Sequence, residues 1–348
     1  MTKSIAINTQ RPWSLIKLCP SYLPTPITEI SSPNGRRILV KNDTDRFNLG
    51  SFKALGGIYA VAAFLLDRWQ AENHHELNPN ELFENNLQNW ANQFTFVCAS
   101  AGNHGIAIAK GAKLFNSRCK VYLANNVPES FAKKLTALGA EVLRFGETYE
   151  DSVKAARENL KENKRNEILL ADTSWLGYTK MPKLVMEGYT IIAEEMRRYF
   201  NAEGCWPSHV FLQAGVGGFA AAMTYHIREY WDRQPKIVVV EPKAAPCLSE
   251  SIKLGRMTKV SGPSSNMGRL DCKEASLIAF ELLQRYVDDF ICVEDSDAAN
   301  AALFLAEKGI VTTPSGAAGM AGVQVSEQLN IPISNDAVCL IIATERPS

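Results

Sequence analysis

"FLQAGVGGFAAAM", residues 211–223, runs from an apolar strand through a glycine turn into a small-residue helix, and its reading decides the fold. Gly215, Gly217 and Gly218 would leave backbone N–H groups bare at a helix N-terminus, where an anion is favoured. Gly215-x-Gly217-x-x-Ala220 also fits the dinucleotide pattern G-x-G-x-x-G/A. Glu241 ends the next strand, near where a ribose-binding acid would fall. Taken alone, the stretch supports a nicotinamide-dependent oxidoreductase as well as an anion site of another kind. A lone glycine pattern does not separate the two, so the segments around it must.

Outward from this stretch, apolar strand-like runs alternate with helical segments. The runs lie at 37–41, 94–99, 119–124, 140–145, 167–171, 209–214, 236–241, 290–294 and 337–343. Most are continuous rather than alternating, as expected where helices cover both faces of a parallel sheet. The helix in "VPESFAKKLTALGA" shows ordinary start and stop signals, with a Pro, then an acid in the first turn, and Gly139 at the close. The alternation implies an open, doubly wound α/β architecture. The 94–171 block makes one four-stranded sheet, and 209–343 with the N-terminal segment makes a larger one. A ligand cleft is expected between them. The polar, Asn-rich residues 71–92 read as a surface insertion.

The chain has 348 residues, 46% hydrophobic and 21% charged, and at roughly 100–200 residues per domain two domains are expected. Thirty-seven basic and 37 acidic residues cancel, with no basic run to favour nucleic acid or an acidic membrane surface. "MTKSIAINTQRPW" carries no apolar h-region, so no secretory signal is expected. No apolar run approaches the roughly 20 residues that cross a bilayer. Eight cysteines are scattered singly, with Cys98, Cys292 and Cys339 inside apolar runs, and read as reduced thiols. Five histidines form no metal-spaced cluster, so no metal is expected.

Four further segments could carry chemistry. In "NLGSFKALGG" (48–57), Ser51 reads as an N-cap, with Lys53 about two residues into a helix. Backbone N–H groups and the helix dipole there disfavour a further positive charge, and a lysine that is neutral part of the time can form a Schiff base. A lysine snorkelling past Phe52 to the surface is the alternative. In "CASAGNHGIAIAKGAKLF" (98–115), a small-residue turn aims N–H groups at one point, and Asn103 adds a donor while His104 can cap the helix. In "LADTSWLGYTKMPKLVMEGY" (170–189), Asp172 stands at a strand's carboxyl end, suited to proton transfer or to capping its own turn. Thr344 emerges from the terminal strand, where its hydroxyl could meet a ring nitrogen.

Together these segments resemble the pyridoxal-phosphate (PLP) enzymes of the tryptophan-synthase-β type, fold type II, from "YLPTPI" (22–27) to "IIATE" (341–345). "VKNDTDRFNLGSFKALGG", "ADTSWLGYTKMPKLVMEGY", "LQAGVGG", "MGRLDC" (267–272) and "PSGAAGMAG" (314–322) look more specifically like diaminopropionate ammonia-lyase. The resemblance implies two open, doubly wound sheet domains. Residues 1–90 and 180–348 would form the large PLP-binding domain, and 91–179 a small mobile one.

By the same resemblance, Lys53 matches the lysine that anchors PLP, and Asn103 the asparagine beside its 3′-oxygen. Gly215, Val216, Gly217 and Gly218 match the phosphate loop, and Thr344 the hydroxyl facing the pyridine nitrogen. Ser100, Ala101, Gly102, Asn103 and His104 form the substrate-carboxylate loop. Asp172 matches the aspartate with acid–base duty. The implied reaction is α,β-elimination of ammonia from L-2,3-diaminopropionate or a close β-substituted alanine, giving pyruvate. A serine/threonine-type dehydratase or β-replacement synthase is the alternative. A cytoplasmic homodimer is the family expectation. Ala101 stands where the ammonia-lyase has Asp in "TDGNHG", so turnover of the D-isomer is not expected; "SAGNHG" looks more like the dehydratase loop. Arg346 follows "TE" where the family has Gly.

Overall fold

Each of the nine apolar runs forms a strand of the computed structural model. The structure describes residues 5–347 apart from 20, 33–34, 101, 148, 162–165 and 335, with backbone alone at 85, 149–150 and 159–161. A tenth strand precedes them. In chain order they are β1 (Ile27–Ser31), β2 (Arg37–Asn42), β3 (Thr95–Cys98), β4 (Arg118–Leu123), β5 (Glu141–Arg144), β6 (Glu167–Leu169), β7 (His209–Gln213), β8 (Lys236–Pro242), β9 (Asp289–Val293) and β10 (Val338–Ala343). They make two sheets, ordered β1-β2-β10-β7-β8-β9 and β5-β4-β3-β6.

Every pair is parallel except β1–β2, which is antiparallel from Ile27↔Lys41 to Ser31↔Arg37. The central strands are buried along most of their length, β10 at all six positions, because helices cover both faces. β1 is the edge and mostly exposed, so its "ITEIS" carries no continuous apolar run by which to recognise it.

The two sheets meet around the Lys53–Asn73 helix, which packs against both the Asn103–Leu114 and the Lys180–Glu203 helices. The Gly-Gly pair after Lys53 permits this. A Cβ on Gly56 would lie 2.4 Å from the Tyr189 ring, and one on Gly57 would lie 2.6 Å from Ala107 Cβ. One glycine admits each neighbour, and the N-terminus of the helix is thereby fixed between the sheets. Ser51 stands one residue further out than expected. Phe52 is the N-cap and Lys53 the first helical residue, yet Ser51 Oγ still accepts the Lys53 amide at 3.2 Å.

Residues 71–92 differ from the expected insertion. They finish the long helix, then form a 3-10 turn (Pro79–Phe83) and a helix (Asn85–Ala91). Leu82, Leu87 and Ala91 anchor them in the core, while most of the polar residues stay exposed. All eight cysteines are free thiols. Among the described residues no His/Cys/Asp/Glu group is placed to hold a metal, and no helix is long and apolar enough to cross a membrane.

Candidate active site

The segment carrying Lys53 is fastened to the end of β10. Phe52 N donates to Thr344 O at 3.0 Å, and Ser51 forms an isolated antiparallel bridge with Glu345. From there Lys53 Nζ reaches across to the segment after β6 and donates to Asp172 Oδ2 at 2.7 Å. Both side chains are about one-quarter exposed, at 25% and 21%, so the pair faces a partly open space. Burial opposes the charge on Asp172, but the Lys53 ammonium outweighs it and holds the carboxyl well below the usual carboxylate range.

The glycine turn closes one side. Gly217 has φ +95°, a left-handed conformation that favours glycine, and a Cβ there would lie 2.9 Å from Leu248 and Ala279. A Cβ on Gly215 would lie 3.0 Å from Cys272 Sγ. No side chain caps the Gly218–Tyr230 helix, so its first-turn amides are free to meet an anion. A Cβ on Gly218 would lie 3.7 Å from Asp172 O, which places the loop beside the lysine–aspartate pair. Glu241 is not a ribose-binding acid. It is fully buried and accepts the amides of Leu248 and Ser249, both at 2.8 Å, capping the Cys247–Lys253 helix.

Asn103 opens its helix on the other side, and its Nδ2 donates to Glu345 Oε2 at 2.5 Å. Thr313 Oγ1 donates to Glu345 Oε1 at 2.8 Å, and Arg269 Nε lies 3.7 Å from Oε2. Burial raises the Glu345 carboxyl above its ordinary value, against the pull of Thr313, Arg269, Lys53 and Asn103. Thr344 is buried beside it, its Oγ1 accepting from Gln213 Nε2 at 3.2 Å. Arg269 also stands over Gly102, its Nη1 3.0 Å from where a Cβ there would be.

Ala101 lies outside the described residues. His104 is no cap. It is buried, and Leu170 O at 3.0 Å, as an acceptor, fixes the proton on Nε2; burial lowers the ring's pKa and keeps it neutral. Arg346 turns away to Asp45, at 2.9 Å.

Lys53, Asp172, Asn103, Thr344 and Gly215 to Gly218 therefore gather at the carboxyl ends of β3, β6, β7 and β10. Glu345, Arg269 and Gln213 join them without having been singled out. Glu345 and Arg269 stood inside motifs already quoted, and a glutamate directly after an all-apolar strand was a usable signal. A separate apolar pocket, lined by Leu15, Ile16, Phe47, Tyr59, Leu82 and Phe115 among others, contains no charged group, and we place no chemistry there.

An amine and a carboxylate beside an uncapped helix N-terminus, at the carboxyl ends of parallel strands in two sheets, fit a phosphate-bearing aldehyde cofactor. This is the site of a fold type II PLP enzyme. The family model described as "Pyridoxal-phosphate dependent enzyme" matches residues 18–345, and the chain belongs to that family. Diaminopropionate ammonia-lyase of Escherichia coli K12 is 30% identical over 344 residues, covering 93% of this chain and 84% of that one. The holo crystal structure of the E. coli enzyme superposes with a TM-score of 0.84 at 27% identity, covering 97% of this chain and 88% of that one. Its complex with an aminoacrylate-PLP azomethine reaction intermediate gives 0.82 at 27% identity, covering 98% and 91%.

Proposed function

We propose that this enzyme eliminates ammonia from L-2,3-diaminopropionate, or a close β-substituted alanine, to give pyruvate and ammonia. The observation that carries the reading is the 2.7 Å contact between Lys53 Nζ and Asp172 Oδ2 at the mouth of the glycine loop. Lys53 would anchor PLP, the amides of Gly215, Val216, Gly217 and Gly218 would hold its phosphate, and Thr344 would face its ring nitrogen. Asn103 would lie beside its 3′-oxygen. Backbone N–H groups of the Ser100 to His104 loop, with Arg269 above Gly102, would take the substrate carboxylate.

PLP, when bound, draws electrons from Cα of an amino acid and makes its proton acidic. Lys53 Nζ is the base for that proton. Beside the Lys53 ammonium Asp172 is held ionised, so there it can pass on only a proton it receives. Lys53 collects the Cα proton 2.7 Å from Oδ2, which relays it to the departing β-amine. The carboxylate also suits a substrate whose β-group is an ammonium, by direct charge pairing. With one water consumed, diaminopropionate yields pyruvate and two ammonia molecules.

Residues 91–179 would move as the small domain against 1–90 and 180–348. The contacts Lys53–Asp172 and Asn103–Glu345 cross that boundary. A homodimer in the cytoplasm goes with this reading on the family's example. The "SAGNHG" loop favours a second reading, a serine/threonine-type dehydratase or β-replacement synthase.

The test is pyruvate release by the PLP-loaded protein, with L- and D-2,3-diaminopropionate and L-serine offered separately. Turnover of L-diaminopropionate well above the other two is expected. Faster turnover of L-serine would move the assignment to the dehydratase. No pyruvate from any, with the visible band of bound PLP intact, would overturn elimination and leave the cofactor standing.

A further inference from the structure

At their carboxyl ends β7 and β10 part. They pair through Cys339↔His209, Leu340↔Val210 and Ile341↔Phe211 and then stop, although each strand runs on for two residues. The side chain of Gln213, 2% exposed, fills the gap. Its Nε2 donates to Ile342 O at 2.9 Å and to Gly316 O at 3.1 Å, and stands 3.2 Å from Thr344 Oγ1. Its Oε1 is buried without a partner. Turning the amide over would set that oxygen against two carbonyl oxygens, so the orientation is fixed by its surroundings. The amide gives Ile342 O a donor where the ladder has parted, at the cost of its own buried and unpaired oxygen.

An amide nitrogen does not accept hydrogen bonds, so the Thr344 hydroxyl can meet Gln213 only as an acceptor. The hydroxyl hydrogen must point elsewhere, and among the described residues no protein group is placed to accept it. We propose that Gln213 is a positioning residue that turns the Thr344 hydroxyl into a donor toward the cleft, so that the site selects a ring nitrogen without a proton. This rests on the reading in which the PLP ring nitrogen faces Thr344. Gln213 reaches the reaction only through Thr344, by setting which electronic form of the ring is held.

The experiment uses PLP labelled with ¹⁵N in its ring, loaded into wild type, Q213E, Q213M and T344V, and follows the ring-nitrogen chemical shift against pH. Wild type should show an unprotonated nitrogen through the neutral range. In Q213E an oxygen facing Thr344 captures the hydroxyl hydrogen, and the ring's protonation midpoint should rise by about one pH unit or more. Q213M frees the hydroxyl and should move the midpoint the same way by less, and it decides the matter if Q213E does not fold by circular dichroism. A T344V spectrum identical to wild type would show that the ring nitrogen does not face Thr344, so the underlying reading fails. A shift in T344V, with folded Gln213 variants indistinguishable from wild type, would overturn the role of Gln213 alone.

Discussion

Lys53 owes its position to its neighbours on the chain as much as to its own chemistry. Phe52 and Ser51 are tied to Thr344 and Glu345, and Gly56 and Gly57 let the helix settle between two others, so the amine arrives in the cleft with its direction set. If Lys53 is the anchor, K53A should lack the visible absorption of lysine-bound PLP; an unchanged spectrum would assign the anchor elsewhere. Asp172 is the only carboxylate hydrogen-bonded to Lys53 among the described residues. D172N keeps the shape and a hydrogen-bond acceptor but removes the charge and the proton relay. Its kcat should fall about 10²–10⁴-fold, as loss of a positioned proton-transfer group does, while the absorption of bound PLP persists. A loss under about tenfold would reduce Asp172 to a turn residue.

Between strand and helix, polar side chains fasten elements that the sequence places far apart. Ser174, two residues past Asp172, caps a helix about a hundred residues away. Its Oγ accepts Ile278 N at 2.9 Å in the first turn of Leu277–Tyr286, and its own N donates to Ser276 Oγ at 2.9 Å. Ser276 N in turn donates to Val216 O in the glycine loop at 2.9 Å. S174A should therefore cost about 1–2 kcal/mol, as a lost buried cap does, and should weaken PLP binding as well. Urea unfolding and PLP titration read the two effects.

Glu241 supplies a second, pH-dependent cap. Burial pushes its carboxyl up to about 7, against the pull of the Leu248 and Ser249 amides. From about pH 4.5 to 7 the unfolded chain gives up this proton while the folded chain keeps it, so the native state binds more protons and loses stability as pH rises. E241Q has no such titration. Its stability deficit relative to wild type, measured by urea at both ends of that window, should shrink by up to about 3 kcal/mol toward pH 7. A deficit independent of pH would mean that Glu241 does not titrate there. At this scale legibility is uneven for physical reasons. Continuous apolar runs disclosed nine strands, whereas β1 hid because an exposed edge needs no apolar pattern. Lys53 and Asp172 were visible because each stands at an element's end in a telling context. Ser174 and Gln213 were not, because a cap in trans and a gap between two distant strands exist only once the chain has folded.

The molecule as a whole is pinned beneath its active site by a dry group of four charges. Lys41 is the last residue but one of β2, Asp43 and Arg46 follow the strand, and Glu195 lies on the Lys180–Glu203 helix, all with side chains at most 2% exposed. Glu195 takes Lys41 Nζ at 2.5 Å and both terminal nitrogens of Arg46 at 2.8 Å, while Asp43 takes Arg46 at 2.9 Å. Lys41 and Arg46 also donate to Thr25 O and Leu23 O, which binds the N-terminal segment to the sheet and the long helix. Directly after Arg46 the chain turns through Phe47 (φ 54°) and Asn48 (φ 57°) before it reaches Lys53. Non-glycine residues in that region are strained by about 1–3 kcal/mol each and persist where surrounding structure fixes them. Burial lowers the Lys41 pKa, with Glu195 and Asp43 opposing. Removing Glu195 therefore leaves two buried cations facing one carboxylate. E195Q should lose about 3–5 kcal/mol in urea unfolding, as other broken buried pairs do. K41M added to it leaves Arg46 with Asp43 and restores neutrality, so E195Q/K41M should be more stable than the sum of its single changes by about 0.5–3 kcal/mol. Additivity of the two would show that charge balance is not what holds this group together, and that packing of the N-terminal segment against the long helix is.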